Sequence, residues 1–215
     1  MKFQKRYDQF NNREERALFI SKVFSKEIES STTILDVGCD FNNLKHIVGE
    51  KVTGIDLYGS PDFKIDLEKE KLSRFKDGEF DMVVCTEVLE HLENFHELTD
   101  EIFRVSSNRV LISLPNCTDF FTRINILLTG RTGKFYGLPI QKPDDRHRWF
   151  FSHIDIEKFF LEYSKKNNYQ IAKRFLVCNY GNSWRGILVR LFIKIFNVES
   201  AGQSYWILIE KNRNT

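Results

Sequence analysis

Two groups of residues carry types and spacings that could do chemistry. The first is the run Ile34-Leu35-Asp36-Val37, which breaks at Gly38-Cys39-Asp40-Phe41-Asn42-Asn43 and continues as Leu44-Lys45-His46-Ile47-Val48. An apolar strand, a tight turn and a helix in that order bring backbone N–H groups toward a ligand. A second apolar run, Val52 to Leu57, carries an acid, Asp56, that can grip ribose hydroxyls. The second group is Glu87, Glu90 and His91, whose offsets of three and four place them near one helical face just past a strand. Two carboxylates and an imidazole can bind a divalent cation. Elsewhere, His46, His96 and His153 lie in ordinary helix or loop surroundings and are assigned nothing.

The elements that must hold these groups follow from periodicity. Residues 12 to 29 place Ala17, Leu18, Phe19, Val23, Phe24 and Ile28 among charges at helical spacing, an amphipathic helix leading into the first strand. Phe63 to Leu67 alternates like a short strand, and a polar helical stretch then ends near Asp77-Gly78. Phe80-Asp81-Met82-Val83-Val84-Cys85 is an apolar run typical of a strand covered on both faces. Thr86 follows as an N-cap for a helix from Glu87 to about Ser106. Arg109 to Leu114 is another buried strand, closed by Pro115-Asn116. Beyond it, residues 118 to 129 form an apolar helix, Gly130 to Pro143 a loop, Ser152 to Asn167 an amphipathic helix and Tyr169 to Cys178 a strand. Residues 183 to 198 form a helix with Trp184, Ile187, Leu188, Leu191, Phe192, Ile195 and Phe196 on one stripe, and Ser204 to Glu210 is a closing strand. Strands alternating with helices predict an α/β fold with a mainly parallel sheet and helices on both faces.

Composition narrows the class. Thirty-two basic against 30 acidic side chains leave a formal charge of +2, so no long-range field selects nucleic acid. Cys39, Cys85, Cys117 and Cys178 are scattered without a C-x-x-C pair, which fits a reducing, cytoplasmic setting. The amino terminus lacks the apolar core of a secretion signal, and no run of about 18 apolar residues is present to span a bilayer. A length of 215 residues suits one sizeable core with an insertion.

Four stretches, taken in order, resemble a class I S-adenosylmethionine-dependent methyltransferase of the group that includes small-molecule and ubiquinone-pathway O-methyltransferases. They are Ile34 to Cys39, Gly54-Ile55-Asp56, Phe80 to Leu92 and Leu114-Pro115-Asn116, and the likeness covers roughly residues 30 to 160. It implies a Rossmann-like, doubly wound sheet of seven strands, mostly parallel with an antiparallel last strand. It further implies one domain over residues 1–215, with insertions at 117–145 and 181–200 forming a lid over the acceptor site.

The cofactor residues implied are Asp36, Gly38, Cys39, Asp56, Leu57, Asp66, Leu67, Thr86 and Glu87. Asp66 would accept from the adenine amine and Leu67 would pack on the ring. His147 is implied as general base for a hydroxyl acceptor, a task suited to a group that titrates near neutrality. Some relatives hold Mg²⁺ with a Glu-x-x-Glu-His cluster and a further histidine, here Glu87, Glu90, His91 and His147. Many metal-free relatives share the pattern, and the reading taken is no metal. The chain departs from the family at one place, because Asp40, Phe41 and Asn42 stand where Gly-x-Gly usually continues. Asp and Asn can still visit left-handed backbone, whereas Phe41 is the harder replacement.

The expected reaction is methyl transfer to oxygen on a sugar, a glycan precursor or a quinone-like phenol. The expected partner is a small-molecule acceptor, with no nucleic acid. Peripheral membrane contact is open to the two late apolar helices through Arg123, Arg131, Lys134, Arg185 and Arg190. Two rivals remain. A nicotinamide oxidoreductase is disfavoured because the turn is not Gly-x-Gly-x-x-Gly, and a non-catalytic binding protein with a degenerate cofactor loop is motivated by the missing glycines.

Overall fold

Residues 4–132, 136–138, 140–141, 146–181, 184–196 and 201–212 are described by the computed structural model. Lys134, part of the Gly130 to Pro143 loop and the ends of the 183 to 198 stretch lie outside them.

The buried runs form the sheet. Its strands are β1 (Lys5–Arg6), β2 (Ile34–Val37), β3 (Val52–Asp56), β4 (Phe63–Lys64), β5 (Phe80–Thr86), β6 (Ser106–Pro115), β7 (Tyr169–Val177) and β8 (Ser204–Lys211). The order across the sheet is β1-β7-β8-β6-β5-β2-β3-β4. Strand β8 runs antiparallel to both β6 and β7, and the other pairings are parallel. The architecture is the expected doubly wound one. Its eighth strand is the two-residue β1 at the edge beside β7, too short to carry a periodic signal.

Alternate residues of each strand feed opposite cores, as strand geometry requires. Leu35, Val37, Val83, Cys85, Val110, Ile112, Ile207 and Ile209 join helices α4 (Phe95–Val105) and α6 (His153–Lys166) on one face. Ile34, Met82, Val84, Leu111, Trp206 and Leu208 join α1 (Arg13–Val23), α2 (Ser25–Glu29) and α3 (Asn43–Val48) on the other. Two more helices, α5 (Phe120–Thr129) and α7 (Trp184–Phe196), follow β6 and precede β8. They lie in the stretches 117–145 and 181–200.

Three expectations about helices need correction. The amphipathic stretch 12 to 29 is two helices, α1 and α2, meeting at Phe24. The polar stretch before Gly78 forms turns, because Arg104 of α4 donates to the carbonyls of Leu72 and Phe75 at 3.0 Å and binds Asp77. Thr86 caps no helix: it is the last residue of β5, and the chain beyond it makes only a 3-10 turn, Leu89–His91, before α4 begins after Asn94.

The cause of the third correction is a tertiary contact. The carbonyl of Glu90 accepts from the amides of Arg148 (2.8 Å) and Trp149 (3.4 Å). That of His91 accepts from Arg148 Nε (2.9 Å), and that of Leu92 from Trp149 Nε1 (2.7 Å). Acceptors that a continuous helix needs for its own amides are thus given to a strap, residues 146–151, crossing from beyond α5.

Candidate functional site at the carboxyl edge of the sheet

Strands β2, β3, β5 and β6 run parallel and end on the same edge, which gathers the turn after Val37, Asp56, the turn after Thr86 and Asn116. The first turn is built on left-handed backbone. Gly38 has φ +78°, and its neighbours Asp40 and Asn42 have φ +52° and +57°. Asp and Asn tolerate that region, so the turn forms without the two absent glycines. Phe41, between them, is 57% exposed and costs the turn no packing. Gly38 is required twice over, since a Cβ there would also lie 2.3 Å from Val88 Cγ2.

Contrary to the expectation that this turn offers its N–H groups to a ligand, the amides of Gly38, Cys39, Asp40 and Asn42 are bonded within the protein. Those of Gly38 and Cys39 donate to Ile55 O, and that of Asn42 to Cys39 O. The turn is also laced to the loop after β3. Ser60 N–H donates to Asp40 O at 2.8 Å, Asn42 Nδ2 donates to Ser60 O at 2.8 Å, and Arg13 pairs with the Asp40 carboxylate at 2.5 Å.

Asp56 joins the two loops. Its Oδ2 accepts from Asp40 N–H at 2.9 Å and its Oδ1 from Tyr58 N–H at 3.1 Å. Each oxygen keeps a further acceptor position, so the carboxylate can hold two hydroxyls while both amides fix its orientation. Asp36, one strand in, is buried; that burial pushes its carboxyl up to about 7, with Arg16 opposing and Asp56 adding to the rise. Cys39 is pushed up to about 12 by burial and by the same two acids, so it is a neutral thiol at physiological pH. Arg16 of α1 also acts on Glu87, and nothing in its sequence setting marks it.

Past β5, Glu87 sits at φ +56° with its amide on Ser113 O (3.0 Å) and Ser113 Oγ donating to its carboxylate (3.1 Å). Burial raises its carboxyl above the usual range. Thr86 is buried at the strand end. On the far side, Leu57 is exposed, Leu67 is buried, and the Asp66 carboxylate is bonded to Lys69 Nζ (2.7 Å), which lowers its pKa.

A second group gathers where the strap meets the 3-10 turn. Ligand atoms of Glu90, His91 and His147 all lie within 4.8 Å of one another, and Glu90 is fully buried. Glu87, placed with them by helical spacing, is outside this group because the chain there is not helical. The His91 and His147 rings stand edge to face at 4.7 Å. His91 Nδ1 lies 3.3 Å from Arg146 O, a pure acceptor, so Nδ1 carries a hydrogen, and His91 Nε2 lies 3.7 Å from Glu90 Oε1.

Tyr136 settles the same point for His147. Its hydroxyl donates to Trp149 O at 2.9 Å and therefore accepts from His147 Nδ1 at 3.0 Å, so that nitrogen carries a hydrogen. Cys117 Sγ is 2.7 Å from the same hydroxyl. Burial, with Cys117 next, holds that phenol above its ordinary range. Tyr136 and Cys117 were not singled out by sequence: a lone tyrosine in a glycine-punctuated loop has no local signal. One buried carboxylate and two imidazoles, each with Nδ1 fixed by an outer hydrogen bond, form a donor set that fits a divalent cation. In its neutral form the His147 ring, with its hydrogen on Nδ1, can accept a proton on Nε2.

Comparison with known proteins gives the context for both groups. No curated protein matches the sequence. Among solved structures, a SAM dependent methyltransferase from Archaeoglobus fulgidus is 20% identical with a TM-score of 0.57, covering 94% of this chain and 95% of that one. The magnesium protoporphyrin IX methyltransferase ChlM from Synechocystis PCC 6803, with bound SAH, is 15% identical with a TM-score of 0.56, covering 95% and 90%. The small RNA methyltransferase HEN1 is 17% identical with a TM-score of 0.59, over 98% of this chain and 27% of that one. At these identities the likeness is one of fold. The model of the family described as methionine biosynthesis protein MetW matches residues 21–199. The chain therefore belongs to the MetW family and carries it on the fold of the class I S-adenosylmethionine-dependent methyltransferases.

Proposed function

We propose that the protein binds S-adenosylmethionine across the turn after β2 and transfers its methyl group to oxygen on a small molecule such as a sugar, a glycan precursor or a phenol. The observation that carries this reading is the turn itself. Gly38, Asp40 and Asn42 keep left-handed backbone without the usual glycines, and Asp56 is held by two amides with acceptor positions to spare. The fold shared with a methyltransferase that holds SAH supports it. When bound, the cofactor would supply an electrophilic methyl carbon on sulfur. Asp56 would hold the ribose hydroxyls, Leu67 and Asp66 would meet the adenine, and Thr86 and Glu87 would face the methionine end. His147 would take the acceptor's proton on Nε2, with Tyr136 fixing the ring.

Calorimetric titration with S-adenosylhomocysteine tests the reading. Binding is expected, and Asp56→Ala is expected to weaken it by about tenfold or more, since charge-assisted hydrogen bonds contribute roughly 1.5–3 kcal/mol each. Absence of heat at millimolar ligand would leave the non-catalytic alternative in its place.

The Glu90, His91 and His147 group supports a second reading, in which a divalent cation there lowers the pKa of the acceptor hydroxyl. Titration with Mn²⁺ separates the two. Heat that Glu90→Ala abolishes supports the cation, whereas full turnover in excess chelator leaves His147 as a simple base.

A further inference from the structure

Helices α5 and α7 turn their apolar faces outward. No residue of α5 is buried, and Leu127 and Leu128 are 83% and 76% exposed with Ile124 beside them on the same face. On α7, Trp184, Ile187, Leu188, Leu191 and Ile195 recur at offsets of 3, 4, 7 and 11, one stripe along the helix. All five are exposed, Trp184 and Ile195 by 67% and 72%. The opposite side of α7 faces the protein: Gly186 and Ile193 are buried, and Val189 packs with Cys178 and Ala201. A Cβ on Gly186 would lie 2.1 Å from Tyr180 O, so glycine at that position lets the helix seat closely. The helix is thus fixed in rotation, with its large apolar residues pointing away from the fold. Phe120 and Phe192, with ring centroids 5.9 Å apart, join the two exposed faces into one patch.

Basic residues outnumber acidic ones along the two segments that carry this patch, where Asp119, Asp144, Asp145 and Glu199 stand at the ends. Residues 120–141 and 184–196 contain no Asp or Glu, while Arg123, Arg131, Arg190 and Lys194 lie among them. The chain as a whole is nearly balanced, 32 basic to 30 acidic, so this is a local segregation. No helix of the described residues is long and apolar enough to cross a membrane. We propose that α5 and α7 form a surface that docks on anionic lipid, with the Trp, Leu and Ile side chains entering the headgroup boundary and the basic residues meeting lipid phosphates. An apolar stripe with basic flanks and an aromatic residue is the composition of a helix lying in a lipid interface. Because α5 leaves β6 and α7 enters β8 at the edge that carries Gly38 and Asp56, docking brings that edge toward the lipid.

Vesicle flotation tests the proposal. The wild-type chain is expected to float with phosphatidylcholine vesicles containing phosphatidylglycerol about tenfold more than with phosphatidylcholine alone, since basic residues near an anionic surface each add severalfold. Leu188→Glu with Leu191→Glu is expected to abolish flotation without changing the melting temperature, because both side chains face solvent. Arg123→Gln with Arg131→Gln, both exposed, is expected to remove the preference for anionic vesicles. Failure to float with either vesicle overturns the proposal. So does concentration-dependent self-association, seen by light scattering and lost in the Leu188→Glu, Leu191→Glu variant while lipid has no effect; the patch would then join two copies of the chain. S-adenosylhomocysteine titration of the same preparations is independent of these outcomes.

Discussion

At the level of single residues, the acids at the carboxyl edge divide by environment. Asp56 lies where two backbone amides and solvent keep it available as an acceptor, whereas Asp36 is enclosed between the sheet and α1 with only Arg16 opposing its desolvation. Its pKa of about 7, against an ordinary value of 3.8, has a sign that can be checked. Between those values the folded chain holds a proton that the unfolded chain has released. Stability from this group is therefore fully present below about pH 4, declines as pH rises and is gone above about pH 7. Urea unfolding at pH 5 and pH 8 should show the wild type losing stability over that interval. Asp36→Asn should lose less, the difference being on the order of a few kcal/mol. The residue types at these positions were legible in the sequence. Their ionisation was not, because it depends first on burial in the tertiary structure and then on Arg16, twenty residues away on another element, which opposes the rise.

Among the elements, local pattern succeeded where a strand is covered on both faces and failed where one segment takes another's hydrogen bonds. Phe80 to Cys85 and Arg109 to Leu114 read as strands because apolar residues fall on both of their faces, and both are central strands of the sheet. Glu87 to Leu92 carries helical spacing yet forms a single 3-10 turn, because Arg148 and Trp149 occupy its carbonyls from 57 residues away. The glycine at the first turn is legible for a different reason. At φ +78° an L residue costs roughly 1–2 kcal/mol, and Val88 leaves no room for a Cβ. Gly38→Ala should therefore lower the melting temperature. Adding Val88→Ala should recover only the part due to the clash, so a double variant as stable as wild type would show that the backbone strain is absent.

Across the whole molecule, stability rests on two cores separated by the sheet. Trp206, fully buried on β8, stacks on Phe24 and Phe175 and meets Phe19 edge-on, tying the last strand to the first helix. Trp206→Ala should cost about 3–5 kcal/mol in urea unfolding, far more than any of the exposed substitutions on α5 and α7. The fold class was readable from the chain because apolar periodicity and turn residues are local properties: every strand but β1, the tight turn at Gly38 and the acid at Asp56 stand in the linear pattern that a doubly wound sheet requires. Only the tertiary structure decided three other matters. It made Asp40 and Asn42 competent in a glycine-poor turn by lacing them to Ser60 and Asp56. It brought Glu90 and His91 to His147, and it turned the apolar stripe of α7 outward. The reason is common to all three: the partners that fix backbone angle, ligand distance and helix rotation come from segments far apart in sequence, and no local periodicity encodes them.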